Sequence, residues 1–449
     1  MKKFSFLIIT IICSVLAYCQ SYSYAREIVR QLTDSSTCGR GYVKQGDKKA
    51  AAIIEKELYN NSFRKNDNFT ISNKQFTYQP FNISINNIDS IFLAFGHKDS
   101  VKREGYDYIV YGFSPNCDIE LKNEKCLIFN NKDKLLNYNK QKLENKVIIF
   151  NQNILSYREI SLFLRELDKL LILPKLVIIQ GYEKLQYPIS TSLFSFPTLC
   201  LSGEIMKTNK INYLHLKVFS TYYKKYETKN IWAVIPGTEY KDSCFIIMSH
   251  YDHLGMCGSA IFPGASDNAS GVAVTLDLVR YYANNPQKYS MVFLFCSGEE
   301  IGLFGSKFAS ENPLFDLNKV KFLLNLDMCG TGSDGISVVN GKNITDKSKI
   351  LTDINDSVQA FTNIRIKDNA CNSDHCPFIE KNVPAFFIYT EGKEDLEYHT
   401  VYDKEEVLPL TKHIDLCNLI KDYFKTLQFN LKNSTSNPTD TLILKNIRY

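Results

Sequence analysis

Short apolar runs alternate with segments of helical spacing in the carboxyl-terminal half of the chain. Strands buried on both faces of a sheet produce such runs, and amphipathic helices produce the 3.6-residue repeat. The predicted strands are 245–248, 291–295, 322–326 and 384–389, and the predicted helices are 271–282 and 410–427. This alternation predicts an α/β fold, a three-layer αβα sandwich with a mixed, mostly parallel central sheet, over residues 231–429.

The amino-terminal half has a different pattern. Residues 24–32 and 47–58 show helical spacing, which predicts an amino-terminal helical part of the same domain over residues 20–69. Residues 70–230 show short β-type runs separated by turns rich in Asn and Lys, which predicts a mainly β insertion. After the last predicted helix, residues 430–449 are rich in Asn, Ser and Thr and are predicted to form a loose tail.

The start of the chain has the pattern of a targeting segment. Lys2 and Lys3 precede an apolar run over residues 4–17, which is too short to span a bilayer comfortably. We therefore predict a signal peptide over residues 1–19 and a protein that is secreted or held in the periplasm or cell envelope, without stable membrane insertion after cleavage. An uncleaved membrane anchor is the alternative.

Composition and charge exclude several classes of protein. With 44% hydrophobic and 22% charged residues, the chain is typical of a globular protein. Its 53 basic and 48 acidic residues are well mixed, so no basic block indicates a nucleic-acid partner. The 13 cysteines show no CxxC spacing, which argues against a zinc ribbon. Cys371 and Cys376 could form one disulfide, and most other cysteines are expected to be buried small apolar residues.

Histidine and carboxylate residues follow the apolar runs. They are His250, Glu299, Glu300, Asp327 and His399, together with Asp267 in a small-residue loop before a helix. Ligands of open α/β sheets bind outside the carboxyl ends of the strands, so these side chains are expected at one edge of the sheet. Each has a simpler explanation when taken alone. Asp267 could cap the following helix, as could Ser270, and the two glutamates could form a solvated acidic turn.

Taken together, the side chains have the composition of a zinc site. Two imidazoles and three carboxylates are the nitrogen and oxygen ligands that zinc accepts, and three negative charges balance much of two dications. The acidic side chain that is not needed as a metal ligand can then act as a general base. The neighbouring carboxylates of Glu299 and Glu300 would repel each other without a compensating cation or proton. Two ions about 3.5 to 4 Å apart can activate a water and polarise a carbonyl, which predicts amide hydrolysis.

Six strings resemble the co-catalytic zinc exopeptidases of metallopeptidase family twenty-eight, the group of bacterial leucyl aminopeptidase and glutamate carboxypeptidase. The strings are HYDHLG, GASDNASGVA, GEEIGLFGSKF, NLDMCG, SDHCPF and YHTVYD, in family order. The resemblance is strong over residues 230–403, and REIVRQL and CGRGYVKQGDKKAA are similar to the family's amino-terminal region. Residues 70–230 lie where many members carry a protease-associated domain, so the resemblance implies a similar insertion here.

The resemblance also implies the metal ligands. His250 and Asp327 would hold one Zn²⁺, and Glu300 and His399 would hold a second. Asp267 would bridge the two ions.

Further residues would act beside the two ions. Glu299 would be the general base, taking a proton from a water that bridges the ions and passing it to the leaving amine. Asp252 would orient His250. Tyr398 would donate a hydrogen bond to the tetrahedral intermediate, with simple packing beside the ligand loop as the alternative. His253 is expected to be a supporting or rim residue and not a ligand.

The expected function is that of an exported two-zinc exopeptidase that acts on peptides. An aminopeptidase is favoured among the exopeptidases. A glutaminyl cyclase, which uses a similar sheet with one zinc, and a carboxypeptidase of the same family remain alternatives. A receptor-like ectodomain without catalysis is a further alternative, although such relatives lose metal ligands and this chain keeps all of them.

Overall fold

A computed structural model describes residues 21–205, 208–394 and 397–435. The predicted signal peptide lies outside the described residues, as does most of the predicted tail. The helices are α1 (21–33), α2 (Gly46–Asn60), α3 (Lys132–Leu136), α4 (Tyr157–Lys169), α5 (Gly271–Asn284), α6 (Phe304–Glu311), α7 (Thr345–Val358), α8 (Cys376–Ile379) and α9 (His413–Thr435). The strands are β1 (Arg64–Lys65), β2 (Gln75–Phe95), β3 (Tyr108–Val110), β4 (Cys117–Phe129), β5 (Val147–Asn151), β6 (Leu176–Tyr182), β7 (Thr198–Ser202), β8 (Lys210–Ile235), β9 (Tyr240–His250), β10 (Gly255–Cys257), β11 (Ala260–Phe262), β12 (Tyr289–Cys296), β13 (Val320–Leu326), β14 (Gly335–Val339), β15 (Ile364–Ile366) and β16 (Ala385–Glu391).

The central sheet has the strand order β15-β14-β16-β13-β9-β12-β8. Its neighbouring strands are parallel except for the pairs β14/β16 and β12/β8. The prediction of a mixed, mostly parallel sheet is therefore confirmed.

Both faces of this sheet are covered, as β9 illustrates. Phe245 and Ile247 point into a core shared with α5 and α9. Cys244, Ile246 and Met248 point into a second core, to which α6 and α8 contribute. Successive side chains of a strand point to opposite faces, so a continuous apolar run buries both faces at once. The predicted three-layer αβα sandwich is confirmed.

Two long strands join the insertion to this sandwich. β2 and β8 pair antiparallel from Gln75 opposite Val234 to Phe95 opposite Leu214. The chain between them, residues 96–209, contributes β3 to β7 and α4 to another apolar core, which also includes side chains of β2, β8, β10 and β11. The insertion contains more strand residues than helix residues, in line with the predicted mainly β character. The predicted boundary between residues 230 and 231 lies inside β8, which serves both parts, and the division into domains stays a prediction.

The last helix extends further than the sequence pattern indicated. α9 continues to Thr435, so the prediction of a loose tail is wrong for residues 430–435. Leu431 still packs against the main core, and this packing stabilises the helix past Asn430. No helix in the described part of the chain combines the length and the apolar character needed to cross a membrane.

Cys371 and Cys376 form a disulfide, and their Cα atoms lie 5.0 Å apart. The other described cysteines are free, and all of them except Cys117 are buried. These buried thiols occupy apolar cores, as expected for small hydrophobic side chains.

A buried ion pair between α5 and α9 is expected to make stability pH-dependent. Asp277 Oδ2 lies 3.2 Å from His413 Nε2. Burial opposes a charged ring, but Cys417 and Asp277 beside it raise the pKa of His413 to about 10. This folded-state pKa lies above the unfolded value of about 6.5. The ion pair therefore contributes fully to the free energy of unfolding below about pH 6.5, and this contribution is lost as the pH rises towards about 10.

The free energy of unfolding of the wild type should therefore fall with rising pH by up to about 1.4 kcal/mol per pH unit more than that of His413→Asn. Urea titrations of both proteins between about pH 6.5 and 9.5 measure this difference. Parallel pH profiles for the two proteins would contradict it.

Candidate metal centre

The register of the central strands brings the predicted ligands to one edge of the sheet. His250, the last residue of β9, lies opposite Cys296 at the end of β12. On the other side, Met248 of β9 lies opposite Asn325 of β13, so Asp327 follows beside His250. The residues that come directly after these buried strands therefore meet in space.

The first half of the site surrounds His250. Its Nε2 atom lies 3.3 Å from Asp267 Oδ1 and 3.2 Å from Asp327 Oδ1, and all three side chains are buried. Ser373 Oγ donates a hydrogen bond of 2.7 Å to the other oxygen of Asp327. That bond fixes the carboxylate and leaves Oδ1 facing the histidine.

The second half of the site surrounds His399. Its Nε2 atom lies 3.1 Å from Asp267 Oδ2 and 3.1 Å from Glu300 Oε2. This nitrogen is buried, yet it makes no hydrogen bond of good geometry to any described residue. Asp267 thus presents one oxygen to each histidine, as a carboxylate that bridges two cations would.

The electrostatics indicate that cations belong here. Burial raises the pKa of Asp252 to about 7, and burial together with nearby carboxylates raises that of Glu299 well above its usual range. The pKa of Glu300 instead falls to about 2, although burial and Asp267 oppose the fall, because His399 and His253 lie beside it. Divalent cations would compensate this excess of negative charge, and the orphaned nitrogen and the mixed imidazole and carboxylate donors fit zinc.

His253 lies inside the site and not at its rim. The side chain is fully buried, and its Nδ1 atom lies 2.5 Å from Glu300 Oε1. The same nitrogen is 3.9 Å from Asp267 Oδ2. His253 therefore contacts the carboxylate of Glu300 from inside the site, and its supporting role stays a prediction.

Asp252 contacts His250 mainly through its backbone. His250 Nδ1 lies 3.2 Å from the Asp252 carbonyl oxygen and 3.8 Å from the carboxylate. The carboxylate instead accepts hydrogen bonds from the backbone N–H of Glu299 at 3.3 Å and from the Tyr42 hydroxyl at 3.0 Å. Asp252 thus holds both the imidazole and the backbone of Glu299.

The simpler explanations for the Asp267 loop are not realised. Asn268 Oδ1, and not Asp267 or Ser270, accepts a hydrogen bond from the backbone N–H of Gly271, the first residue of α5. The carboxylate of Asp403 accepts a hydrogen bond of 3.2 Å from the backbone N–H of Asp267. The side chain of Asp267 is therefore free to face the two histidines.

Tyr398 packs beside the second half of the site. Its ring stacks on that of His399 with 3.7 Å between the ring centroids, and the residue is 44% exposed. Burial of the hydroxyl and the carboxylates of Asp267 and Glu300 raise its pKa. The stacking fits both the packing role and the role of the hydroxyl as a hydrogen-bond donor, so the donor role of Tyr398 stays a prediction.

Arg40 is a supporting residue that the sequence patterns did not reveal. The side chain is fully buried and donates hydrogen bonds to five backbone carbonyls. One acceptor is the carbonyl of Asp267, at 3.0 Å. Gly39 and Gly41 flank Arg40, and a Cβ atom on either glycine would lie within 2.5 Å of backbone atoms of Gly255. This close packing explains the GRG string.

Arg40→Lys is expected to destabilise the fold by at least about 3 kcal/mol. An ammonium group cannot reach all five carbonyls, and each buried acceptor left without a donor costs about 1 to 3 kcal/mol. Chemical denaturation of the metal-free protein measures the free energy of unfolding. Arg30→Lys is the control because Arg30 is exposed and pairs with Glu27 on the same helix. Equal stabilities of the two variants would contradict this role for Arg40.

The carboxyl-terminal half of the chain is similar in sequence to known peptidases. Residues 230–422 match peptidase family M28. The chain is 27% identical over 213 residues to Aminopeptidase YwaD of Bacillus subtilis, a match that covers 45% of this chain and 45% of the relative. It is 26% identical over 219 residues to a probable leucine aminopeptidase of Arthroderma otae, covering 46% and 59% of the two chains. The matched segments thus span less than two thirds of these relatives.

Solved structures extend the likeness of the fold to most of the chain. A zinc aminopeptidase from Bacillus subtilis superposes with a TM-score of 0.69 at 18% identity, covering 90% of this chain and 94% of that one. A peptidase M28 precursor from Shewanella amazonensis gives 0.66 at 16% identity, covering 90% and 92%. The resemblance to the co-catalytic zinc exopeptidases is confirmed for residues 230–422, which match the model of peptidase family M28.

Proposed function

We propose that this protein is a two-zinc aminopeptidase that removes residues from the amino-terminal end of peptides. The observation that carries the proposal is the position of Asp267, whose two oxygens lie 3.3 Å from His250 Nε2 and 3.1 Å from His399 Nε2. One buried carboxylate between two imidazoles, each with a further acid beside it, is suited to a pair of cations. The names of the aminopeptidase relatives support this choice of reaction.

Five side chains would hold the two ions. His250 and Asp327 would hold the first, Glu300 and His399 would hold the second, and Asp267 would bridge them. When bound, zinc lowers the pKa of water and polarises the carbonyl of the scissile bond.

The chain's own residues would move and hold the protons. Glu299 follows β12 and directly precedes the candidate ligand Glu300. The hydrogen bond from its backbone N–H to Asp252 fixes the position of the backbone from which its side chain extends. The carboxylate would accept a proton from the attacking water and deliver it to the leaving amine. Tyr398, half-exposed beside His399, would donate a hydrogen bond to the oxyanion of the tetrahedral intermediate.

The test combines metal analysis with a panel of substrates. Purified full-length protein should contain about two zinc ions per chain. It should hydrolyse aminoacyl and peptide substrates from the amino end, lose activity on chelation and recover it with Zn²⁺. Cyclisation of amino-terminal glutamine with one zinc would favour the cyclase instead, and release of acidic residues from the carboxyl end would favour the carboxypeptidase. A folded protein that binds no zinc and shows no activity would favour the receptor-like alternative.

We also propose that the protein acts outside the cytoplasm. The charged and apolar pattern of residues 1–19 supports export. The disulfide between Cys371 and Cys376 supports an oxidising compartment. Fractionation of the cells that make the protein, with sequencing of its mature amino terminus, tests this proposal. Cytoplasmic protein with residues 1–19 intact would refute it.

A further inference from the structure

A segment of the insertion holds the loop that carries His399. Three consecutive residues of this loop, 397–399, each contact the segment 184–187. The contacts join Lys184 Nζ to Glu397 Oε1 at 2.6 Å, Gln186 Nε2 to the Tyr398 carbonyl at 3.3 Å, and the backbone N–H of Tyr187 to the His399 carbonyl at 3.2 Å. The insertion thus reaches the backbone of a candidate metal ligand directly.

The backbone at His399 needs such support. His399 has φ of +61°, in the left-handed region that non-glycine residues rarely adopt. The local turn is closed by Thr400, whose backbone N–H and side-chain Oγ1 donate to the Glu397 carbonyl at 3.1 and 2.8 Å. These bonds shape the loop but do not decide where it lies. Contacts from outside the loop must place the imidazole against Asp267.

The supporting segment is itself fixed in a core. Tyr187 is 2% exposed, and its ring stacks on Phe262 with 5.1 Å between the centroids. Leu185 lies in the same cluster, which also contains Val401, two residues beyond the ligand. The segment therefore joins the core of the insertion to the ligand loop through buried side chains as well as hydrogen bonds.

The two halves of the metal centre differ in how the fold positions their histidines. His250 ends β9 in the middle of the central sheet, and Asp327 follows the neighbouring strand β13. Both ligands of the first half are thus positioned by sheet hydrogen bonds. In the second half, His399 comes from an irregular loop after β16.

We propose that residues 184–187 of the insertion are positioning residues for His399, so that the insertion sets the affinity for the second cation and not for the first. Breaking the contact between Lys184 and Glu397 should let the loop move away from Asp267. The site beside Glu300 would then weaken, while the pair His250 and Asp327 would keep its geometry. This inference rests on the proposed two-cation centre.

Stepwise titration of the metal-free, full-length protein with Zn²⁺ tests the proposal. Lys184→Met and Glu397→Gln are each expected to weaken the second binding constant about 10-fold and to leave the first unchanged, which is the lower end of the effect of losing a supporting contact around a metal site. The double variant should be no worse than either single variant, because all three changes break one contact. Lys184→Arg should restore most of the affinity.

The matched control is Lys140→Met, which breaks another ion pair of the insertion, with Glu166 at 3.0 Å. It should change neither constant. Hydrogen exchange of the metal-free protein provides a second measurement, in which amides of residues 397–400 should exchange faster in Lys184→Met than in the control. Gln186→Leu tests the same support through the Tyr398 carbonyl if the charge variants fold poorly.

The outcomes separate the two proposals. A wild-type protein that binds no second cation would overturn the proposed metal centre itself. If the wild type binds two cations, unchanged second constants in all the variants would overturn the positioning role. An equal fall of both constants would also overturn it, because that result indicates a general loss of structure.

Discussion

Glu299→Gln is expected to lower kcat for peptide hydrolysis by about 10²- to 10⁴-fold while the zinc content stays unchanged. Glu299 is absent from both ligand groups, since the carboxylates nearest His250 and His399 are those of Asp267, Asp327 and Glu300. The amide keeps the size of the side chain but cannot accept a proton at neutral pH. The loss should therefore appear in kcat more than in KM.

Steady-state kinetics with an aminoacyl substrate, together with zinc analysis of the same samples, measures both effects. Glu311→Gln makes the same chemical change at the exposed end of α6 and should leave kcat and zinc content unchanged. A Glu299→Gln protein that keeps near-normal kcat would remove Glu299 as the base. A protein that loses zinc would make Glu299 a ligand.

The central part of the fold could be predicted because its strands are buried on both faces. Residues 245–248 and 322–326 are apolar at every position except Asn325, as a strand in the middle of a layered sheet requires. Polar residues directly after such runs must leave the core at the edge of the sheet, which is why His250 and Asp327 could be expected to meet. The end of α9 could not be predicted, since it depends on the tertiary packing of Leu431.

The supporting residues of the site were harder to predict, for a physical reason. Arg40 donates hydrogen bonds to backbone carbonyls, and these carbonyls come together only when three separate segments have folded. Tyr42 and Asp403 likewise hold Asp252 and the backbone of Asp267 across large distances in sequence. Spacing along the chain carries no signal for such contacts. The glycines on both sides of Arg40 are a signal that could have indicated close packing of the backbone there.

Asp267→Asn is expected to remove both zinc ions, whereas Asp327→Asn should weaken only one site. Asp267 gives one oxygen to each half of the centre, at 3.3 and 3.1 Å from the two histidines, whereas Asp327 lies beside His250 alone. An amide has one neutral oxygen, so it can neither bridge two cations nor balance their charge. Because even supporting residues of metal sites change affinity about 10- to 100-fold, loss of the bridge should weaken each site by at least about 100-fold.

Zinc content after dialysis and stepwise Zn²⁺ titration distinguish the two variants. Asp353→Asn is the control, since Asp353 is exposed on α7 and pairs with Lys349 on the same helix. The wild type and the control should retain two zinc ions, Asp327→Asn about one and Asp267→Asn none. If Asp267→Asn still held one ion as tightly as the wild type, Asp267 would belong to a single site. The two halves of the centre would then be independent, and the shared carboxylate would not explain a paired-metal reaction.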